Sequence, residues 1–150
     1  MKNILIILVF ALVLVAPQTI NAQSSRDTLS QYVAELQKNP GDNTLREKII
    51  SFSFKIKPAP AISDEARERY VMGITLRESK DYELPVAQFQ AALLIAPWHG
   101  DAYKYFGLAF EFAEKYDLAI AAFHFYLKTQ PGEVAVTNTE DEIVILKAKK

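Results

Sequence analysis

The chain has 150 residues, a formal charge of −1 and no cysteine, which excludes several classes of protein. A near-neutral charge without a basic run argues against binding to nucleic acid or to an acidic membrane surface. Without cysteine there is no disulfide bond, no thiol nucleophile and no thiol for a lipid anchor, so packing alone must stabilise the fold. The length allows one domain after an N-terminal targeting segment.

Residues 1–22 have the pattern of a secretory signal peptide. Lys2 precedes an apolar run over residues 4–16, Pro17 follows, and Ala22 is a small residue in front of Gln23. The apolar run is shorter than the about 20 residues that a membrane-spanning helix needs. We therefore expect cleavage near Ala22 and export to the periplasm or out of the cell. The alternative is an uncleaved N-terminal membrane anchor.

Residues 23–62 carry two helical patterns and a short proline-containing linker. Apolar residues at helical spacing predict a first helix over 29–36, and Asp42 is a suitable N-cap for a second helix that stops at Lys57 and Pro58. An array of repeats normally needs at least three units for stability. We therefore expect this helical pair to cover the open end of the two repeats that follow.

The segments 66–99 and 100–133 repeat each other without a gap, at a spacing of 34 residues. Each has two apolar runs at helical period with a break between them and a proline at the end, which predicts one helix–turn–helix unit per segment. A fixed period of this size is typical of a solenoid, whose units bury their apolar faces by stacking. The matched residues are Gly73 and Gly107, Tyr82 and Tyr116, Phe89 and Phe123, and Pro97 and Pro131.

These matched positions resemble the tetratricopeptide repeat, and the leading segment is similar to that of small exported bacterial repeat proteins. The resemblance covers a little under half of the chain. It implies an all-α fold, a short solenoid of helix–turn–helix repeats with flanking capping helices, which acts by binding other proteins. An unrelated pair of helical hairpins with coincident periodicity is the alternative. The chain departs from the family at Arg69, Lys80, Pro85, Glu114 and Tyr126.

Three local features make further structural predictions. A glycine costs roughly 1 kcal/mol against alanine inside a helix, so its recurrence at Gly73 and Gly107 predicts close approach of the partner helix. Pro85 predicts that the second helix of the first repeat begins near it. Thr139 is a suitable N-cap for a last helix over 140–149, and we expect the segment 139–150 to cap the far end of the array.

The resemblance also implies that the first helix of each repeat lines a concave face. The residues at the corresponding positions predict an apolar, aromatic groove rimmed by charge, suited to an amphipathic helix or an extended segment of another protein. Alternatively, the N-terminal helices fold over this face and bury it. The groove positions are Arg67, Tyr70, Ile74, Arg77 and Glu78 in the first repeat, and Asp101, Lys104, Leu108, Glu111 and Phe112 in the second.

The sequence contains no nucleotide-binding, zinc-protease or serine-hydrolase motif. His99 and Asp101 could ligate a metal or support a base, but they also suit an inter-repeat turn in which Asp101 caps the next helix. We expect no enzyme, metal, cofactor or small-molecule substrate, and we expect an exported protein–protein interaction module of the cell envelope, either a scaffold or an adaptor. One alternative is a structural subunit built by repeat stacking, including a homo-oligomer. A more distant alternative is a metal-dependent enzyme at His99.

Overall fold

The computed structural model describes residues 16–77 and 81–150. Within these residues the fold is all-α, with seven helices and no strand, which confirms the predicted fold class. From α3 onward each helix packs against the next, as in a helical solenoid. The signal-peptide pattern over residues 1–15, and the positions Glu78 and Lys80, lie outside the described residues. The helices are α1 (Ala16–Lys38), α2 (Asn43–Ser53), α3 (Asp64–Leu76), α4 (Glu83–Ile95), α5 (Gly100–Phe112), α6 (Tyr116–Lys128) and α7 (Glu133–Ala148).

The first helix is longer than its apolar pattern predicts. It starts at Ala16 and runs through the predicted cleavage point after Ala22. Its core side chains begin at Leu29 and include Leu36, while Tyr32 and Val33 pack against the same apolar cluster. Cleavage near Ala22 therefore remains a prediction, and it would leave these core contacts of α1 in place.

The second helix has the predicted start but an earlier end. A side-chain oxygen of Asp42 accepts the Leu45 N–H at 2.8 Å, as expected of an N-cap. The helix ends at Ser53 and does not reach Lys57, because two three-residue turn bonds tighten the chain beyond it. This tighter path brings Ile56 into the core beside α1 and α2.

The N-terminal pair does not cover the open end of the repeats, so that prediction is wrong. Helix α1 packs on α4 and helix α2 packs on α6, so the pair lies along the second helices of both repeats. Ile50 of α2 joins a core cluster with Leu93 of α4 and Tyr126 of α6. On the first helix of the array, Met72 remains 40% exposed. Ile50 is 1% exposed there, so the apolar face of α2 is buried on the second helices and not at the end of the array.

In both repeats a glycine of the first helix packs against an aromatic ring of the second helix. A Cβ atom at Gly73 would lie 2.6 Å from the ring of Phe89, and one at Gly107 would lie 2.6 Å from the ring of Phe123. Both phenylalanines are buried between the helices of their own repeat. The close approach predicted from the two glycines is therefore confirmed, since a side chain at either position would occupy the space of the ring.

The turns and helix starts follow the sequence closely. Ser63 caps α3 by accepting the Ala66 N–H at 3.2 Å. Helix α4 begins at Glu83 with Pro85 in its first turn, which confirms the effect expected of the proline. The other signature residues lie at helix ends: Tyr82 is the N-cap of α4, Tyr116 begins α6, and Pro97 and Pro131 follow the ends of α4 and α6.

The last helix begins earlier than predicted. It runs over Glu133–Ala148, with Gly132 at its N-cap position, and Thr139 lies buried inside it with its hydroxyl donating to the Ala135 carbonyl at 2.7 Å. The Thr- and Asn-rich stretch before residue 140 favours helix poorly. Packing overrides that preference, because α7 packs on α6, and Ile143 and Leu146 join a core cluster with Phe110 and Phe123. The capping role expected of this segment therefore starts six residues earlier than its predicted start at residue 139.

Candidate functional site

The residues predicted to form the groove lie on α3 and α5, the first helices of the two repeats. We call this surface the first-helix face. The main contacts of the N-terminal pair are with α4 and α6, so the described part of the chain does not bury the face as the alternative expected. Its described residues are Arg67, Tyr70, Ile74, Arg77, Asp101, Lys104, Leu108, Glu111 and Phe112.

Tyr70 joins the two first helices. Its ring centroid lies 4.7 Å from that of His99, 5.9 Å from that of Tyr105 and 6.2 Å from that of Phe89. Partial burial raises the pKa of Tyr70 to about 12, and the nearby carboxylate of Asp101 adds to the shift. Tyr70 is therefore half-buried between α3 and α5. Its ring packs the two helices together and leaves little exposed surface for a partner.

Tyr105 belongs to this face but was not predicted from the sequence. The guanidinium carbon of Arg77 lies 5.2 Å from the centre of the Tyr105 ring, within the range of a cation–π contact. This contact holds the charge of Arg77 above the junction of α3 and α5. The alignment of the repeats does not predict that Tyr105 belongs to the face, because its position is not one of the family's groove positions.

Phe112 is the most exposed large apolar side chain of α3 and α5. It is 57% exposed, and its ring stacks on that of Tyr82 with centroids 6.1 Å apart and an interplanar angle of 6°. Leu108, one turn earlier on α5, is half-buried against the core cluster under α6 and α7. Tyr82 comes from the turn of the first repeat, so the apolar spot around Phe112 spans both repeats.

Lys104 lies at the other end of α5, where it lines a cavity of about 440 Å³. Tyr126 of α6 and the first turns of α7, from Glu133 to Thr139, form the rest of the wall. This part of the face could not be predicted, because the sequence pattern predicts helix only after Thr139, whereas α7 begins at Glu133. The first-helix face therefore continues onto α7.

The charges of the face are mostly basic. Glu111 is neutralised by Lys149 of α7, whose Nζ atom lies 3.1 Å from the Glu111 Oε1 atom. Arg67, Arg77 and Lys104 form no ion pair with any described carboxylate, and Asp101 is likewise unpaired among the described residues. Among the described groove positions on α3 and α5, three cations and one unpaired carboxylate leave an excess of positive charge, which Glu133 on the α7 part of the face reduces.

His99 lies at the start of α5. It occupies the N-cap position without a side-chain cap bond, and Asp101 lies in the first turn, so the capping role expected of Asp101 is wrong. The helix begins before Asp101, at Gly100, which packs tightly on Thr129 at the end of α6. Burial lowers the pKa of His99, with the nearby Arg67 adding to the shift and Asp101 opposing it.

Among the described residues, no group of three His, Asp or Glu side chains is arranged to hold a metal ion. None of the described helices is long and apolar enough to span a membrane. A comparison with protein-family models, curated proteins and solved structures finds no match to this chain.

Proposed function

We propose that this protein is an exported protein-binding module of the cell envelope, a scaffold or adaptor of the tetratricopeptide-repeat type. Its partner lies on the first-helix face. The observation that carries the proposal is the exposed Phe112 ring stacked on Tyr82, because large aromatic side chains on an ordered surface are typical anchors of protein interfaces. The export step rests on the signal-peptide pattern of residues 1–22.

The charges of the face define the partner further. Unpaired Arg77 and Lys104 on α3 and α5 favour a segment with acidic side chains, and the Phe112 spot favours a bulky apolar side chain among them. An amphipathic helix or an extended segment of another protein fits both requirements. The partner is therefore an acidic segment with at least one large apolar residue.

The exposed end of the array supports a second candidate function, that of a structural subunit. Met72 and Val71 of α3 are exposed at the end where a preceding repeat would pack. A second copy of the chain could stack there and build a structural assembly. Light scattering separates the two candidates, since stacking makes the molecular mass depend on concentration and peptide binding does not.

A displayed library of random peptides, selected on the purified protein, tests the first candidate. We expect enriched peptides to share acidic residues around an aromatic or large aliphatic residue. In the Phe112→Ala variant, the Kd of a selected peptide should rise at least about tenfold, with an unchanged melting temperature. Leu84→Ala is the matched control, because Leu84 is a similarly exposed apolar residue at 47% but lies on α4.

Charge reversal tests the basic part of the surface. Lys104→Glu should weaken the same peptide and reduce the salt dependence of its binding, whereas Lys38→Glu on the exposed end of α1 should change neither. Equal binding by Phe112→Ala and Leu84→Ala, or a selected set without acidic residues, would contradict the proposal. Binding is measured by fluorescence anisotropy, and folding is checked on the same samples by thermal melting.

A further inference from the structure

A second cavity lies on the opposite side of the repeats, between their second helices. It has a volume of about 250 Å³. Tyr103, Phe106 and Phe110 of α5 line it, together with residues of α4 and α6 that include Leu93 and Phe125. Asn43 and Arg46 of α2 close one side. The cavity exists because the N-terminal pair lies across α4 and α6, and none of the described groove positions of the first-helix face lines it.

Arg46 brings a buried positive charge to this cavity. Its side chain is 9% exposed, and its guanidinium donates one hydrogen bond to the Pro40 carbonyl at 2.5 Å and lies 5.6 Å from the centre of the Phe125 ring. It forms no ion pair with a described carboxylate, and the nearby Asp42 carboxylate accepts the Leu45 N–H as the N-cap of α2. An arginine remains charged in proteins, so a buried guanidinium without an anion is costly.

Tyr103 adds a buried hydroxyl beside that charge. Its side chain is 1% exposed, and its hydroxyl proton has no acceptor among the described residues. Burial raises the pKa of Tyr103 to about 12, although the charge of the adjacent Arg46 guanidinium and its donor contact to the phenol oxygen oppose the shift. At neutral pH the phenol is therefore protonated and can donate a hydrogen bond. Buried polar groups are nearly always paired, so an unpaired one at a cavity wall indicates a missing acceptor.

We propose that this cavity binds a small apolar molecule that carries one carboxylate. The carboxylate accepts hydrogen bonds from the Arg46 guanidinium and the Tyr103 hydroxyl, which supplies the anion and the acceptor that these two groups lack. The apolar part lies among Leu93, Phe106, Phe110 and Phe125. The volume is below the usual range for drug-sized ligands, which restricts the molecule to a short-chain or single-ring acid.

The source of such a carboxylate is either a free organic acid or the terminal residue of a peptide. Both present the same group, and the cavity chemistry is the same for each. The probes that separate them are 3-phenylpropionate, octanoate, and a tripeptide that ends in phenylalanine with a free carboxyl terminus. The neutral control is 3-phenylpropan-1-ol, which keeps the ring and the chain but lacks the charge.

The test is titration of the purified protein with each probe, followed by calorimetry and by chemical shifts of the backbone amides. We expect saturable binding of at least one acid, at least about tenfold tighter than the alcohol, with shifts around Arg46 and Tyr103. Tyr103→Phe should weaken that acid several-fold without loss of stability, because the ring remains and an unpaired hydroxyl is removed. Tyr126→Phe is the control, since Tyr126 lines the Lys104 cavity and not this one.

Arg46→Gln should abolish the preference for acid over alcohol. If that variant does not fold, the comparison of acid with alcohol in the unmodified protein and in Tyr103→Phe still decides the question. Equal binding of acid and alcohol, no saturable binding of any probe, or an acid affinity that Tyr103→Phe leaves unchanged would each overturn the proposal. This inference is independent of the proposed partner on the first-helix face.

Discussion

The first and second repeats place a glycine against a phenylalanine in the same way, yet their first helices differ in exposure. The Gly73–Phe89 and Gly107–Phe123 contacts have the same 2.6 Å distance. Met72 on α3 is 40% exposed, whereas its counterpart Phe106 on α5 is partly buried against two core clusters. Contacts inside a repeat are therefore set by the repeat's own residues, but the burial of its leading helix depends on what precedes it.

The largest expected effect tests the glycine–phenylalanine contact that occurs inside each repeat. Phe89→Ala and Phe123→Ala should each lower the free energy of unfolding by about 3–5 kcal/mol, because each leaves a cavity between two helices. The two losses should be similar, since the two sites are geometrically equivalent. Urea unfolding measures them, with His124→Ala on the exposed side of α6 as the control. A loss as small as that of the control at either site would mean that the two repeats do not share this packing.

The next effect tests the difference between the repeats. Phe106→Ala should cost near the lower end of the same range, about 3 kcal/mol, because Phe106 packs on Phe110 at a centroid distance of 4.5 Å. Met72→Ala should cost about 0.5 kcal/mol or less, as is usual for exposed positions away from special features. The same unfolding experiment compares them. A large loss at Met72 would indicate that something covers the exposed end of α3 in solution.

A smaller effect concerns the turns that follow α5 and α6, the two helices of the second repeat. Glu114 and Gln130 both have φ of 56°, the left-handed region that favours glycine. Glu114→Gly should raise the free energy of unfolding by less than about 1 kcal/mol. Glycine relieves the backbone strain of the folded state, but it also increases the conformational entropy of the unfolded chain, and the two effects nearly cancel. Gln130→Gly should behave alike, and Glu114→Ala, which keeps the strain, should give no gain. A melting temperature lowered by both glycine variants would refute this account of the turns.

The smallest effect lies at His99, at the junction of the repeats. Its pKa is lowered in the folded state, so the unfolded chain binds more protons as the pH falls below about 7. The stabilising contribution of neutral His99 is therefore complete above the unfolded pKa of about 6.5 and is lost as the pH falls toward the folded value. His99→Gln should flatten the decrease in stability over this window, and His124→Gln should leave it unchanged. An unchanged slope in His99→Gln would show that the junction does not exclude water.

Much of the fold could be predicted because its signals are local. The close approach of the helices at Gly73 and Gly107, the caps at Asp42 and Ser63 and the start of α4 at Pro85 each have a signal in one or a few neighbouring residues. The start of α7 could not be predicted, because residues 133–139 favour helix poorly and are helical only through packing on α6. Long-range packing overrides local preference there.

The candidate site also has a part that local sequence signals predict and a part that depends on long-range packing. Phe112 and Lys104 lie exposed on the face where the repeat register places them, but Tyr70 is half-buried against His99 and Tyr105. The register gives the direction of a side chain and not the identity of its neighbour. The cavity at Arg46 and Tyr103 was missed because it depends on where α2 lies across α4 and α6, and no pattern in the sequence encodes that position.

The central claim is that the first-helix face is open and that a partner lies on it. The absence of cysteine makes a direct measurement possible, because an introduced thiol is the only one present. The rate of alkylation is measured for Asp101→Cys on α5 and for His124→Cys on α6, both exposed positions, with and without a selected acidic peptide. Asp101 is chosen because its replacement removes no cation that the acidic peptide needs. We expect fast labelling of both variants in the free protein and protection of Asp101→Cys alone by the peptide. Slow labelling of Asp101→Cys in the free protein would mean that the face is covered, and protection of His124→Cys instead would place the partner on the second helices; either result would contradict the claim.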